Sequence, residues 1–299
     1  MRKGVPMKQT LGNKKVICLF VLPALTLFLL IVLFPIIMSA YYSLLDWDGI
    51  GEKVWIGIEN YKTMFVENTD GFFQAIGNSI LLVALSVFVQ LPISLLLALV
   101  LANGVPGENF YRTVYFVPVI LSTVVIGQLW TKIYQPEYGL LNTLLNGIGL
   151  DGLAHQWLAD PKTALLSAFV PTVWQYIGYQ MLIMYAGIKA IPTEIFESAR
   201  IDGASGPRIA AKITIPLIKS TLTTCVIFAV IGSLKVFDIV YIMTKGGPMH
   251  ASEVPSTVMY SAIFQRNQYG YGSAIAIFIV IECLIFTLII QKAVQKENN

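Results

Sequence analysis

The residues in this chain that can do chemistry are few, and several crowd into one stretch. ESARIDGASG (197–206) holds Glu197, Arg200 and Asp202 beside Ser198, Ser205, Gly203 and Gly206. One chemistry open to it is nucleophilic attack by Ser205 of the GASG run, which requires a histidine base within hydrogen-bond reach. The chain has only His155 and His250, and the topology derived below puts both across the bilayer from Ser205. ATP hydrolysis is excluded more simply, because no GxxxxGK[ST] phosphate loop is present. What remains is recognition: a carboxylate on a tightly turned polar segment, available to a partner's basic or amide group.

Three other constellations stand out. Glu282 lies in the apolar run Ile279–Leu284, and a carboxylate at mid-bilayer costs about 2.5–3.5 kcal/mol on insertion scales, so it should face protein or a wet cavity. It reads as a hydrogen-bonding group on a substrate path, as a proton-coupling site, or as a helix-packing carboxylate. Trp174, Gln175, Tyr176, Tyr179 and Gln180 bring amides and aromatic rings into another apolar stretch, and Gln128 and Trp130 can join them. Rings stack on the apolar faces of sugars while amides bond hydroxyls; interfacial anchoring and helix packing are the alternatives. Lys235 and Asp238, three apart, share a helix face and can pair. Cys18, Cys225 and Cys283 all fall in apolar runs and read as small buried hydrophobes, with no disulfide or metal framework.

The elements that must position these residues follow from composition. The 299 residues are 56% hydrophobic and 12% charged, against about 25% charged in soluble domains. Six stretches are long and apolar enough to cross a bilayer as helices of about 20 residues: 16–41, 76–102, 111–133, 163–187, 214–243 and 271–292. The first is too long for a secretory signal, and five more follow it. Tails of 1–15 and 293–299 flank a six-helix transmembrane domain of 16–292.

Orientation follows from Lys and Arg. Arg2, Lys3, Lys8, Lys14 and Lys15 precede span one; Lys189, Arg200, Arg208 and Lys212 lie between spans four and five; Lys292 and Lys296 end the chain. With an even number of spans these share the cytoplasmic side. The acidic, aromatic loop 42–75, loop 134–162 and loop 244–270 with its KGGP turn are then external. The net charge of +3 is this topological bias, and it gives no ground for a nucleic-acid partner.

Within the cytoplasmic loop 188–213, IPTEIFESARI (191–201) reads as a short helix. Pro192 and Glu194 suit its first turn, and Ile191, Ile195 and Ala199 line one side. Asp202-Gly203 breaks it; Ser205 and Pro207 suit the start of a second helix, with Ile209 and Ile213 on its apolar face and Pro216 leading into span five.

These residues resemble the cytoplasmic loop motif of ATP-binding-cassette importer permeases. That motif sets Glu-Ala-Ala three residues before Asp-Gly-Ala, then an Ile nine further and a proline three beyond it. Glu197, Ala199, Asp202, Gly203, Ala204, Ile213 and Pro216 fall in register, while Ser198, Ala210 and Ser220 depart from it. YFVPVILSTVVIGQLW (115–130), YGLLN (138–142) and FDIVYIMTKGGP (237–248) are similar to the sugar-permease branch, on the side akin to the maltose-type first permease.

The resemblance implies an all-α membrane protein of six transmembrane helices with the type I importer permease fold and cytoplasmic coupling helices. It implies half of a heterodimeric pathway in a prokaryotic cell membrane, with both termini cytoplasmic. Its partners would be a second permease, two ATPase subunits, an extracytoplasmic solute-binding protein, a sugar and membrane lipid. The chain would be no enzyme and carry no cofactor; ATP and Mg would sit on the ATPase. Glu197 would offer its carboxylate to the ATPase, Gly203 would allow close backbone approach, and Ile209 and Ile213 would anchor the second helix. Disaccharides, plant or algal oligosaccharides and glycerol phosphate esters all fit as cargo. The competing reading is a secondary transporter or channel with Glu282 as the coupling carboxylate.

Overall fold

Lys14–Phe28, a π turn at Leu29–Leu33 and Phe34–Tyr42 run on as one helix, α1 (14–42); the computed structural model describes residues 14–296. Residues 1–13 of the expected N-terminal tail and 297–299 of the C-terminal tail lie outside the described residues. A two-stranded antiparallel ribbon follows, β1 (Leu45–Asp46) against β2 (Val54–Trp55). The helices are then α2 (59–67), α3 (Phe72–Ala102), α4 (Glu108–Ile120), α5 (Thr123–Ile133), α6 (Leu140–Gly147) and α7 (Ala164–Lys189). After them come α8 (Thr193–Ile201), α9 (206–217), α10 (Lys219–Leu234), α11 (Asp238–Met243), α12 (255–265) and α13 (Tyr269–Lys296).

Lipid offers no hydrogen bonds to a backbone, so these apolar runs must satisfy their own amides as helices. Prolines within them leave a regular mark. π turns at Leu29–Leu33, Ser86–Gln90 and Ala210–Thr214 each end two residues before a proline, at Pro35, Pro92 and Pro216. A proline ring clashes with the carbonyl four residues back, and a wider turn there relieves the clash without ending the helix.

Among the described residues, four helices are long and apolar enough to cross a membrane: Ile17–Tyr42, Phe72–Ala102, Lys219–Met243 and Tyr269–Val294. The expected single span 111–133 is instead two helices, α4 and α5, bent by 96° at Leu121-Ser122, where the backbone is extended; together they would make a fifth. The expected fourth span is α7, whose 26 residues reach about 39 Å. The polar residues 174–180 keep it below the apolarity of the others. It can carry them because it packs on α3, α4, α10 and α11, so protein rather than lipid covers much of its surface. The expected span 214–243 is present as Lys219–Met243, with α9 ending at Leu217 just before it and a short non-helical step after Leu234.

One buried cluster, with Met181, Met184, Ile188, Leu91, Leu101, Ile218 and Cys225, joins α3, α7 and α10 at the end of the bundle next to α8 and α9. A second, around Ile126, Phe169, Ile239, Val240 and Val254, joins α5, α7 and α11. A third, around Met64, Phe72, Val258 and Ile275, seats α12 and α13. Gly178 of α7 meets α4 backbone to backbone: a side-chain carbon there would run into the Tyr115 carbonyl. Cys225 is buried as expected, but Cys18 is exposed, because no residue from 17 to 33 on α1 is buried by the described chain.

At the other end of the bundle, polar side chains pin the long connections. Arg266 holds Asp70 through two bonds of 2.6 and 2.7 Å, and the guanidinium is pushed above its ordinary value by that carboxylate. Asn78, 4% exposed on α3, donates to the carbonyls of Ala251 (2.9 Å) and Glu253 (2.7 Å) and accepts from Gln74 (3.0 Å). Asn78→Leu leaves both carbonyls without that donor and is expected to destabilise by about 2 kcal/mol or more. A lower thermal midpoint in detergent with faster proteolysis between residues 245 and 254 checks it; an unchanged midpoint refutes it.

Candidate functional site

Residues 175, 176, 179 and 180 occupy neighbouring rows on one side of a 3.6-residue helix. Accordingly Gln175, Tyr176, Tyr179 and Gln180 all line one groove of about 390 Å³, closed by Ser86 and Gln90 of α3, Phe228 and Ser233 of α10, and Lys235, Phe237 and Asp238. Ser86 and Ser233 are hydrogen-bonded to each other at 2.8 Å. Gln180 is buried, yet its Oε1 has no partner among the described residues. Gln175 turns its amide to the Leu121 carbonyl, at 3.5 Å, where α4 breaks off. Amides, hydroxyls and aromatic walls in one groove can bond and stack on a polyhydroxylated molecule.

The other expected path residues lie elsewhere. Trp174 packs edge-on to Trp130 with ring centres 6.1 Å apart, and Gln128 is on the exposed side of α5. The 96° bend is the reason, since it turns α5 away from the line of α4 that a straight span would follow. Glu282 is buried on α13 with no partner for Oε2 among the described residues, and it does not line the groove. Lys235 and Asp238 form no ion pair with each other; α10 ends at Leu234, just before Lys235, α11 begins at Asp238, and both residues line the groove.

The segment 191–216 folds as two helices across a glycine turn. Glu194 lies in the first turn of α8 and Arg200 in the last, each matched to the helix dipole. Gly203 sits at φ +75°, in the left-handed region; its N–H donates to Arg200 O (3.0 Å) and that of Ala204 to Ala199 O (2.9 Å). That double bond pattern is the glycine stop that satisfies a helix's last carbonyls. Pro192 stands just before α8 rather than inside its first turn, and Ser205 heads α9 without a side-chain cap.

Glu197, Asp202, Gly203 and Pro216 are exposed, Ala204 and Ile213 half-buried, and Ala199 and Ile209 buried. Ile209, expected to anchor the second helix, is buried by the chain's own fold, and Ile213 only half so. Ile195 also faces outward, and Phe196 takes the inward place beside Ala199, because helical rotation puts 196 and 199 on one face. The apolar side chain left outside is Ile201, at 86% exposure. A cavity of about 490 Å³ separates α8 and α9 from the ends of α3 and α7, with Asn103, Lys189, Glu197 and Arg200 on its walls.

One polar cluster was missed in the sequence. Glu108, in the first turn of α4, accepts from the Tyr185 hydroxyl of α7 and lies 3.8 Å from Lys189 and 3.9 Å from Arg112. The Arg112 guanidinium stands 4.5 Å over the Tyr185 ring. The i,i+4 spacings 108/112 and 185/189 are visible in sequence, but their meeting is not.

A bundle of apolar helices enclosing a polar groove, with a rigid exposed elbow at one end, is the architecture of a membrane transport subunit. The model of the binding-protein-dependent transport system inner membrane component matches residues 90–298, and the chain belongs to that family. It is 40% identical over 283 residues, 94% of this chain and 96% of the other, to the probable ABC transporter permease protein YurN of Bacillus subtilis. It is 31% identical to the trehalose/maltose transport system permease protein MalF of Thermococcus litoralis, covering 92% of each. A similar fold, with a TM-score of 0.82 and 24% identity over 98% of this chain and 99% of the other, occurs in the crystal structure of a bacterial ABC transporter involved in the import of the acidic polysaccharide alginate. The chain is thus a multi-pass inner-membrane permease subunit, which displaces the reading as a secondary transporter.

Proposed function

We propose that this permease forms half of the pathway of a sugar importer and is driven by a separate ATPase gripping the segment 191–216. The single observation that carries the reading is the exposed elbow of α8 and α9, with Glu197 and Ile201 solvent-exposed and Gly203 at its corner, in a chain of this family. Support for a sugar comes from relatives named for trehalose/maltose and for diacetylchitobiose uptake, and from the amide-and-aromatic groove. Gln175, Tyr176, Tyr179 and Gln180 line the path in this reading; Gln128, Trp174 and Glu282 do not touch the cargo.

In this reading α1, α3, the bent pair α4–α5, α7, α10 with α11, and α13 make the six crossings, both termini are cytoplasmic, and the elbow faces the cytoplasm. The chain catalyses nothing and holds no cofactor; ATP and Mg bind the ATPase pair. A second permease completes the pathway, and an external solute-binding protein delivers the sugar, as the alginate transporter has been crystallised with its periplasmic protein. Closure of the ATPase pair draws the two elbows together, and the helices turn the groove outward.

Purification of the tagged chain from its native membrane in mild detergent tests this. An ATPase and a second, related permease are expected to come with it. A stable chain that comes out alone, or only with copies of itself, overturns the proposal.

A further inference from the structure

Coupling, as proposed above, needs a part that carries motion of the elbow into the membrane helices, and the cluster on Glu108 has the geometry for it. The link from α7 to α8 is only residues 190–192 and ends in Pro192, so displacement of α8 passes directly to the last turn of α7. That turn carries Tyr185 and Lys189. Tyr185, 8% exposed, donates its hydroxyl to Glu108 at the head of α4. Lys189 Nζ stands 3.8 Å from the other Glu108 oxygen and donates to the Ala102 carbonyl, which ends α3, at 3.1 Å. Three helix ends therefore converge on one carboxylate.

The route continues beyond the cluster. Two turns further along α7, Gly178 is in backbone contact with α4, so the two helices are joined at two heights. α4 then breaks at Leu121-Ser122, and α5 beyond the break packs through Ile126 on Ile239 and Val240 of α11, beside the groove. A push on α7 that also moves α4 reaches α5 and α11 through this bend, in addition to the direct packing of α7 on α11.

We propose that Glu108 is a positioning residue for coupling: by holding Tyr185 and Lys189 it makes the ends of α3, α4 and α7 move as one body with the elbow. This rests on the ATPase-coupling reading. Glu108 touches neither cargo nor nucleotide, and its loss separates nucleotide turnover from pathway opening.

The test uses the complete transporter with its ATPase and external binding protein in nanodiscs. The native cysteines are replaced by alanine and one reporter, Tyr176→Cys, is placed in the groove. ATP with vanadate is the probe; trapped nucleotide and labelling by a membrane-impermeant maleimide from the outer side are read together. Trapping is expected to raise labelling of the parent by about tenfold, as expected of a strong population shift. Glu108→Ala is expected to trap nucleotide within about twofold of the parent while the labelling rise falls to about twofold or less. Glu108→Gln, whose amide oxygen still accepts from Tyr185, should keep more than half the rise. Tyr185→Phe provides the same comparison should Glu108→Ala not assemble. A full labelling rise in Glu108→Ala, or trapping and labelling lost in equal proportion, overturns the proposal. A full rise in Glu197→Lys overturns the coupling reading itself, and this inference with it.

Discussion

Glu197→Lys is expected to abolish ATP-driven uptake and strip the ATPase from the purified complex, while the chain still inserts and keeps its fold. Glu197 lies on the exposed side of α8 and makes no ion pair or hydrogen bond among the described residues. A surface substitution of that kind changes folding stability by within about 0.5 kcal/mol. At a docking surface the arithmetic differs. A charge-assisted hydrogen bond contributes about 1.5–3 kcal/mol, and a like charge facing the partner's basic group adds several more against association. Together these weaken docking by roughly a thousandfold or more. Co-purification of the ATPase and uptake by cells report the two halves of the effect. Normal uptake with the ATPase still attached would remove Glu197 from the contact.

The second large effect concerns Gly178. Its Cα faces the Tyr115 carbonyl and the Phe116 amide across the contact between α7 and α4. Gly178→Ala puts a methyl where backbone already lies, and backbone cannot rotate aside as a side chain can. Overpacking typically costs about 1–3 kcal/mol even where side chains give way. Here the two helices must separate, and about 4 kcal/mol or more is expected. Gly77→Ala on α3 is the matched control, since nothing lies within 4 Å of its added carbon. That change should be neutral or stabilising by about 0.5–1 kcal/mol, the usual helix preference for alanine. Thermal midpoints and the yield of assembled complex distinguish the two. Equal midpoints would mean that α4 and α7 are not in close contact.

What the sequence made legible was what a single helix face or a single turn determines. The pairing of 175 with 179 and of 176 with 180 foretold one polar groove wall, and Asp202-Gly203 foretold the corner of the elbow. The misses have a common cause in the third dimension. Hydropathy over 111–133 measures how apolar a run is and is blind to direction, so a two-residue extended break at Leu121-Ser122 left no trace. Placing Gln128 on the path followed from drawing that stretch straight. The apolar face of α9 at Ile209 was legible, but that the chain's own fold buries this side chain was not. Glu108 and Tyr185 are 77 positions apart, and no local pattern joins them.

The first helix bears on how such a subunit can be handled. Its C-terminal part, Phe34–Tyr42, lies on α13, while residues 17–33 are all exposed in the described chain. Mechanically that stretch is a beam clamped at one end. Its angle in the plane of the membrane is set by whatever surrounds it, lipid or a neighbouring subunit, and not by this chain. An isolated subunit should therefore carry a helix whose position is undecided until a partner arrives, so expression together with the proposed second permease should give a more uniform preparation than expression of this chain alone.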